Sequence, residues 1–506
     1  MLDTQSSCSC SSGRIVTDSY DAIVIGAGVG GMITALRLAA AGRRVVICER
    51  NGVLGGKLAV YQRDGFSFDM GPSLLTIPEV FDDAFRAVGT TLAKECQLVR
   101  LDPAFRYFWP DGSTVTFRDE PIATAEALEA LRNGAGTEYL TYLERARAIW
   151  QVSQRTFFAG EMSGTLPLLA RMRSPRDLVR IDARRTLQSR AEQTFTDARL
   201  RQWLGRYATY SGSDPRRVPA TLGCIAAVEA DLGAWYVRGG LSALCAALER
   251  VLRRVGVEIR TDADVERIIT TRRRVTGVRV NNEELRSSVV VSNADAEHLY
   301  RDLLRNDNEL RRVQRAGRST SGIAVVVGVS GRTPLITHHN VWFSADYARE
   351  FDDIAAGRVP RNPTIYGCVS SVTDDSQAPP GDENWFLLIN VPSHDSMQVG
   401  EAGDWILDKL AAVGPDLRHR ARFVEAIGPA DFARNVRAPG GAIYGTSSNG
   451  RTAAFRRPAM RGAVRGLYLV GGSTHPGGGL PLVAMSARIA SDLVLRDFPL
   501  SSTTQR

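Results

Sequence analysis

The feature that most constrains this chain is a glycine triplet set between an apolar strand and a helix. Tyr20-Asp-Ala-Ile-Val-Ile25 reads as a buried strand, Gly26-Ala-Gly28-Val-Gly30-Gly31 follows at once, and Met32 to Ala41 has helical patterning. The glycines at 26, 28 and 31 keep the G-x-G-x-x-G spacing. The first permits a tight turn, the second lets backbone approach a pyrophosphate, and the third lets helix and strand pack closely. Gly30 belongs to the same loop. The helix start offers free N–H groups to phosphates. Arg44-Val-Val-Ile-Cys-Glu49 reads as the next strand, and its terminal Glu49 is placed to accept hydrogen bonds from ribose hydroxyls.

A chain of 506 residues exceeds one ordinary domain. Its apolar fraction of 44% suits large globular cores. The formal charge of +8 is carried almost wholly by arginine, with lysine only at Lys57, Lys94 and Lys409. The seven cysteines show neither zinc spacing nor a disulfide framework, which points to a reducing compartment. Cys8 and Cys10 fall in a Ser-rich start, expected to be a disordered tail over residues 1–17 without the apolar core of a signal peptide. No run of 18 apolar residues occurs, so no membrane-spanning helix is predicted. Nucleic-acid binding is disfavoured, because no recognition module accompanies the basic residues.

After Glu49 the chain reads Arg50-Asn-Gly-Val-Leu-Gly55-Gly56-Lys57, a second glycine turn ending on a cation, and then Phe68-Asp-Met-Gly71-Pro72, another backbone-rich turn. Asp69 serves there as a local ligand or as a turn cap. Near the carboxy terminus, an apolar strand runs into Gly471-Gly472-Ser-Thr-His475-Pro-Gly-Gly-Gly479-Leu480-Pro481-Leu482, followed by a helix from Pro481 or Leu482. Between them lie Gly233-Ala-Trp-Tyr-Val-Arg-Gly-Gly240 and Val289-Val-Val-Ser-Asn-Ala-Asp295.

Together these stretches resemble the bacterial-type carotenoid desaturases, the phytoene desaturase family within the amine-oxidase-like flavoproteins. The middle motif is similar to that family's G-x-W-Y-P-x-G-G, with Val237 in place of proline. The resemblance spans nearly the whole chain. It implies FAD held without a covalent bond and no metal. It also implies a long isoprenoid or carotenoid substrate drawn from a membrane, desaturated by hydride transfer to flavin, with quinone or oxygen as final acceptor. Relatives that oxygenate carotenoid ends, and flavin-free isoprenoid-binding escort proteins, share the scaffold; the intact glycine motifs disfavour the latter. The cofactor-binding residues so implied are Gly26, Gly28, Gly30, Gly31, Glu49, Arg50, Gly55, Gly56, Lys57, Gly71, Pro72, Val265, Gly471, Gly472, Gly479, Leu480, Pro481 and Leu482.

The expected architecture is α/β. A Rossmann-like FAD-binding domain is assembled from separated segments, 18–92, 233–305 and 455–498. A mixed-sheet substrate domain covers 93–232 and 306–454, with a helical part at 156–206 that contacts the membrane. Strands are predicted over 322–328, 341–343, 364–371 and 385–391, and helices over 124–155, 176–207 and 399–414. In 156–206, the apolar Thr165 to Ala170 lies beside Arg171, Arg173, Arg176, Arg180, Arg184, Arg185 and Arg190. That pattern suits a protein lying on the cytoplasmic membrane, or else a core helix with a solvated basic face. Glu229 and His475 are the candidate acid–base groups; Arg238 is the ion-pair partner that would leave Glu229 structural. His338 and His339 read as loop histidines lacking further metal ligands, and Trp203, Tyr207, Tyr210, Trp235 and Tyr236 as tunnel or core aromatics.

Overall fold

The structure is a computed structural model, and it describes residues 19–162, 164–394, 397 and 399–499. The tail expected over 1–17 lies outside the described residues. The first strand, Ala22–Ile25, is buried along its whole length, as a parallel strand covered on both faces must be. It sits at the centre of a five-stranded parallel sheet, between Val290–Ser292 and Val45–Cys48, with Leu467–Leu469 and Glu258–Arg260 at the edges. Strands far apart in sequence thus pair in register, with Ile23 opposite both Val46 and Val290, and Val290 opposite Leu467.

Three helices, Val29–Ala40, Ser242–Arg254 and Leu480–Asp497, cover one face, their apolar sides sharing a core with Val24, Ile47 and Val291. A three-stranded antiparallel sheet, Val265–Thr271, Arg274–Val280 and Glu283–Arg286, covers the other together with Leu299, Tyr300 and Leu303. The sheet is therefore a doubly covered α/β layer, and its strands all end toward one crevice.

A seven-stranded mixed sheet forms the second unit. Its order is Ala421–Ile427, Ser321–Val329, Glu383–Val391, Ile365–Cys368, His339–Trp342, Phe105–Phe108 and Thr114–Phe117; only His339–Trp342 and Phe105–Phe108 pair in parallel. Predicted helix 124–155 is two helices, Pro121–Leu131 and Ala135–Thr156, interrupted where Gly134 turns left-handed at φ 85°. The predicted helix 176–207 is likewise broken into Arg176–Arg180, Leu187–Thr194 and Ala198–Gly205. Thr186 and Asp197 accept hydrogen bonds from Ser189 N and Arg199 N, and each restarts a helix as an N-cap.

The two histidines expected in a loop are buried. His339 opens a strand of the large sheet, opposite Cys368, and His338 precedes it and shares a 2.8 Å hydrogen bond with Thr373. Cys368 supplies a third ligand-type group, with candidate ligand atoms of the three within 4.8 Å of one another. Cross-strand pairing made this neighbour, which adjacency in sequence did not reveal. Among the described residues, no helix is long and apolar enough to cross a membrane.

Candidate functional site

The strand ends and the large sheet enclose a cavity of about 1130 Å³. One side is mostly backbone. A Cβ added at Gly31 would stand 2.1 Å from the carbonyl oxygen of Gly26, so only glycine lets the helix start press on the strand end. Helix Val29–Ala40 starts at Gly28 with no side-chain cap and no acid in its first turn. Its open N–H groups and positive end suit a pyrophosphate. Glu49 is 6% exposed and lies on the cavity wall. It accepts 2.8 Å and 2.9 Å hydrogen bonds from Ala27 N and Asn51 N, which tie the second strand end to the glycine loop.

The second glycine turn closes against the first. Gly55 N donates to Ala27 O at 3.0 Å, and a Cβ on Gly56 would meet Gly28 Cα at 3.4 Å. Lys57 Nζ donates to Ile443 O at 2.6 Å, and burial pulls its pKa down while Asp295 pulls it up. Arg50 donates to the carbonyls of Arg434 and Asn435 at 2.7 Å and 2.9 Å. Val265, Gly71 and Pro72 also line the cavity. Asp69 does not. It accepts from Leu241 N and Ser242 N and caps the start of Ser242–Arg254, and burial raises its carboxyl to about 6. It caps a helix start distant in sequence, not its own turn as expected.

The carboxy-terminal loop packs beside the first glycine loop, where a Cβ on Gly30 would meet Gly471 Cα at 3.3 Å, and it puts Gly471, Gly472 and Pro476 through Val483 on the wall. Gly479 takes φ 107° and its successor Leu480 opens the last helix, one residue before the predicted start. This is a second uncapped helix N-terminus, with no acid in its first turn. Asn293 joins the two glycine systems: a Cβ on Gly28, Gly30 or Gly471 would come within 2.6–2.7 Å of its amide. Asn293 lies inside the motif Val289 to Asp295 without an expected role; its place at the end of strand Val290–Ser292 was the available signal. Two adjacent helix starts, a buried ribose-side carboxylate and a glycine-only cradle fit an adenine dinucleotide carrying a flavin.

The two acid–base candidates stand behind this wall. His475 is 2% exposed, is not among the cavity-lining residues, and packs edge-on against Phe157 with ring centroids 4.7 Å apart. Burial draws its pKa to about 4, so the ring is neutral. Glu229 is also off the wall. It accepts 2.7 Å hydrogen bonds from the hydroxyls of Tyr207 and Tyr210, and burial raises its pKa against the pull of Arg206. Arg238 is not its partner. That side chain lies 3.7 Å from Asp374, because Glu229 is in a π-helical turn, Val228–Leu232, facing the other way. Asp231 in the same turn pairs with Arg147 at 2.7 Å, so the two acids do not meet.

The rest of the cavity wall is largely apolar and aromatic, including Phe105, Trp150, Phe157, Phe158, Val341 and Phe386. Of the five aromatics singled out in the sequence, Tyr210 alone reaches this wall; Trp203, Tyr207 and Tyr236 are core residues, and Trp235 is half-buried. Cavity residues that sequence reasoning did not find are Arg206, Tyr347, Glu350, Tyr366 and Arg457. Arg457 donates to Gly472 O and Ser448 Oγ, and burial lowers its pKa to about 10.

The comparisons agree with this geometry. The profile of the flavin-containing amine oxidoreductases matches residues 29–495. The 4,4'-diapolycopene oxygenase of Methylomonas sp is 32% identical over 95% of this chain and 99% of its own. The 4,4'-diaponeurosporene oxygenase of Staphylococcus aureus (strain USA300) is 33% identical over 93% and 97%. The zeta-carotene-forming phytoene desaturase of Myxococcus xanthus is 34% identical over 94% and 93%. Among solved structures, putrescine oxidase bound to putrescine superposes with a TM-score of 0.65 at 13% identity, over 94% of this chain and 98% of that one. An oxidoreductase from Methanosarcina mazei superposes with a TM-score of 0.62 at 17% identity, over 93% and 99%. The fold is shared with both. FAD is the cofactor, and oxidation–reduction the class of chemistry. The chain belongs to the flavin-containing amine oxidoreductases, among the carotenoid desaturase-like flavoenzymes.

Proposed function

We propose that this enzyme oxidises a long acyclic carotenoid, introducing C=C bonds by hydride removal. The observation that carries the reading is one continuous cavity joining the glycine loops to an apolar aromatic chamber. When bound, FAD supplies the hydride acceptor. The residues named above would hold it: Gly26 to Gly31 and Glu49 on the nucleotide, and Gly55 to Lys57, Gly71, Pro72, Gly471, Gly472 and Gly479 to Leu482 around the ring. The two helix N-termini favour negative charge without a charged side chain. Apolar side chains orient the polyene and exclude water, so the chemistry rests on cofactor, placement and desolvation.

In this reading Glu229 acts through Tyr210, holding that hydroxyl and the neighbouring Arg206 in place, while His475 braces the glycine loop against Phe157. Neither is a base. Terminal oxygenation of a carotenoid is the second reading, favoured by the 32% and 33% identity to the two carotenoid oxygenases.

We further infer attachment to the surface of the cytoplasmic membrane. Leu166 and Val179 are each 78% exposed, and Leu169 and Leu178 are also exposed. Arg173, Arg176, Arg180 and Arg184 are exposed around them, and Leu168 and Ile181 of the same stretch line the cavity. Apolar side chains flanked by arginines match an anionic bilayer surface, and their continuity with the cavity suits a substrate dissolved in lipid. Arg171 and Arg190 belong instead to the interior, on backbone carbonyls and on Asp182.

Expression in bacteria that accumulate acyclic carotenoids tests the reaction. A mass loss of two hydrogens per step is expected; a gain of oxygen selects terminal oxygenation. Unchanged pigments from every acyclic precursor, in cells holding the FAD-loaded protein, refute both. Oxygen and quinone are the acceptors to compare.

A further inference from the structure

One corner of the cavity is not built for a hydrocarbon. Arg206, Tyr347, Glu350 and Thr364 all line it, beside the apolar Phe105 and Val341. Glu350 is 2% exposed. Its Oε2 accepts from Thr364 N at 3.1 Å and Thr364 Oγ1 at 2.7 Å, but its Oε1 has no hydrogen-bond partner. Tyr347 stands one turn away on the helix Tyr347–Ala355, and its hydroxyl is likewise buried and without a partner.

The arginine belongs to the same corner. A Cβ on Gly205, the residue before Arg206, would stand 3.1 Å from Tyr347 Cε1, so the tyrosine ring lies against this backbone. Among the described residues, Arg206 makes no ion pair within 4.0 Å. Its guanidinium donates to the hydroxyls of Tyr107 and Tyr210 at 3.1 Å and 2.8 Å and sits over the Phe105 ring at 4.7 Å. Burial, opposed by the Thr364 hydrogen bonds, raises the Glu350 carboxyl to about 7.

We infer that Arg206, Tyr347 and Glu350 form a binding site for a hydroxyl or carbonyl oxygen on one end of the polyene. The inference rests on the carotenoid reading above and sharpens its substrate class. A hydrocarbon end would leave two buried polar atoms dry; an oxygen function gives them a partner. A hydroxyl can donate to Glu350 and accept from Tyr347, and a carbonyl oxygen accepts from Tyr347, Arg206 or protonated Glu350. The substrate would then be supplied by a reaction that oxygenates a carotenoid terminus.

The test compares an acyclic carotenoid hydrocarbon with the same polyene carrying one terminal hydroxyl, and with its terminal aldehyde. Each is presented in vesicles to the FAD-loaded enzyme, and the second-order rate constant of flavin reduction is read from single turnovers under anaerobic conditions. The wild type is expected to prefer an oxygenated polyene by about tenfold or more. Tyr347→Phe keeps the ring contacts with Phe343 and Phe351 and removes only the hydroxyl, so it should shrink that ratio several-fold. Glu350→Gln should shrink it for the hydroxylated polyene. Equal rate constants of flavin reduction for all three polyenes in the wild type overturn the inference and leave the carotenoid reading standing. So does a ratio unmoved by Tyr347→Phe. Reduction by none of the three overturns both.

Discussion

The two sides of the cavity recognise by different means. On the nucleotide side, specificity lies in backbone: Gly31 touching the Gly26 carbonyl, two uncapped helix starts, and Asn293 filling the space that Gly28, Gly30 and Gly471 leave. On the substrate side it lies in side chains gathered from distant segments, such as Phe105, Arg206, Val341 and Glu350. Backbone recognition needs glycine at fixed spacing and so leaves a mark in sequence. Side-chain recognition leaves none until the chain is folded.

The sharpest way to break this contrast is on the nucleotide side. Gly31→Val puts a branched side chain where even a Cβ would lie 2.1 Å from Gly26 O. The purified variant is expected to carry no FAD, judged by its visible absorbance. A variant with full FAD content would show that the cradle does not depend on backbone contact.

On the substrate side, Glu229→Ala strips the acceptor from the hydroxyls of buried Tyr207 and half-buried Tyr210. A loss of about 1–3 kcal/mol in unfolding stability is expected, measured by denaturant titration, with FAD still bound. The same comparison explains what was legible from sequence. The parallel sheet, the glycine loops and Glu49 follow from local patterns, and the strands 322–328 and 385–391 follow from their apolar runs. The partner of Glu229 was not legible, because a π-helical turn sets its direction and Tyr207 and Tyr210 reach it from another segment. Nor was the burial of His338 and His339, which pairing across the sheet with Cys368 produces. The breaks in 124–155 and 176–207 were written as Gly134, Thr186 and Asp197 but masked by helical residues on either side.

Smaller effects are expected at the edges of the cavity. Leu166→Glu with Val179→Glu should abolish flotation with anionic vesicles while changing stability by no more than about 0.5 kcal/mol. Flotation retained by the double variant would remove this patch from the membrane contact.

Glu350 makes a pH signature. Its carboxyl is raised in the folded protein to about 7 from an ordinary 4.5, so the folded state holds a proton that the unfolded chain releases. Stability from this group is present below the ordinary value and is lost as pH rises from about 4.5 to about 7. Glu350→Gln should flatten that part of the stability profile; a variant profile parallel to the wild type would contradict the assignment.

The central claim is that a long carotenoid gives up hydride to FAD in this cavity. Anaerobic mixing of the FAD-loaded enzyme with an acyclic carotenoid in anionic vesicles tests it most directly. The account predicts bleaching of the flavin with a polyene product lighter by two hydrogens. Flavin that stays oxidised with hydrocarbon and end-oxygenated acyclic carotenoids alike would contradict it.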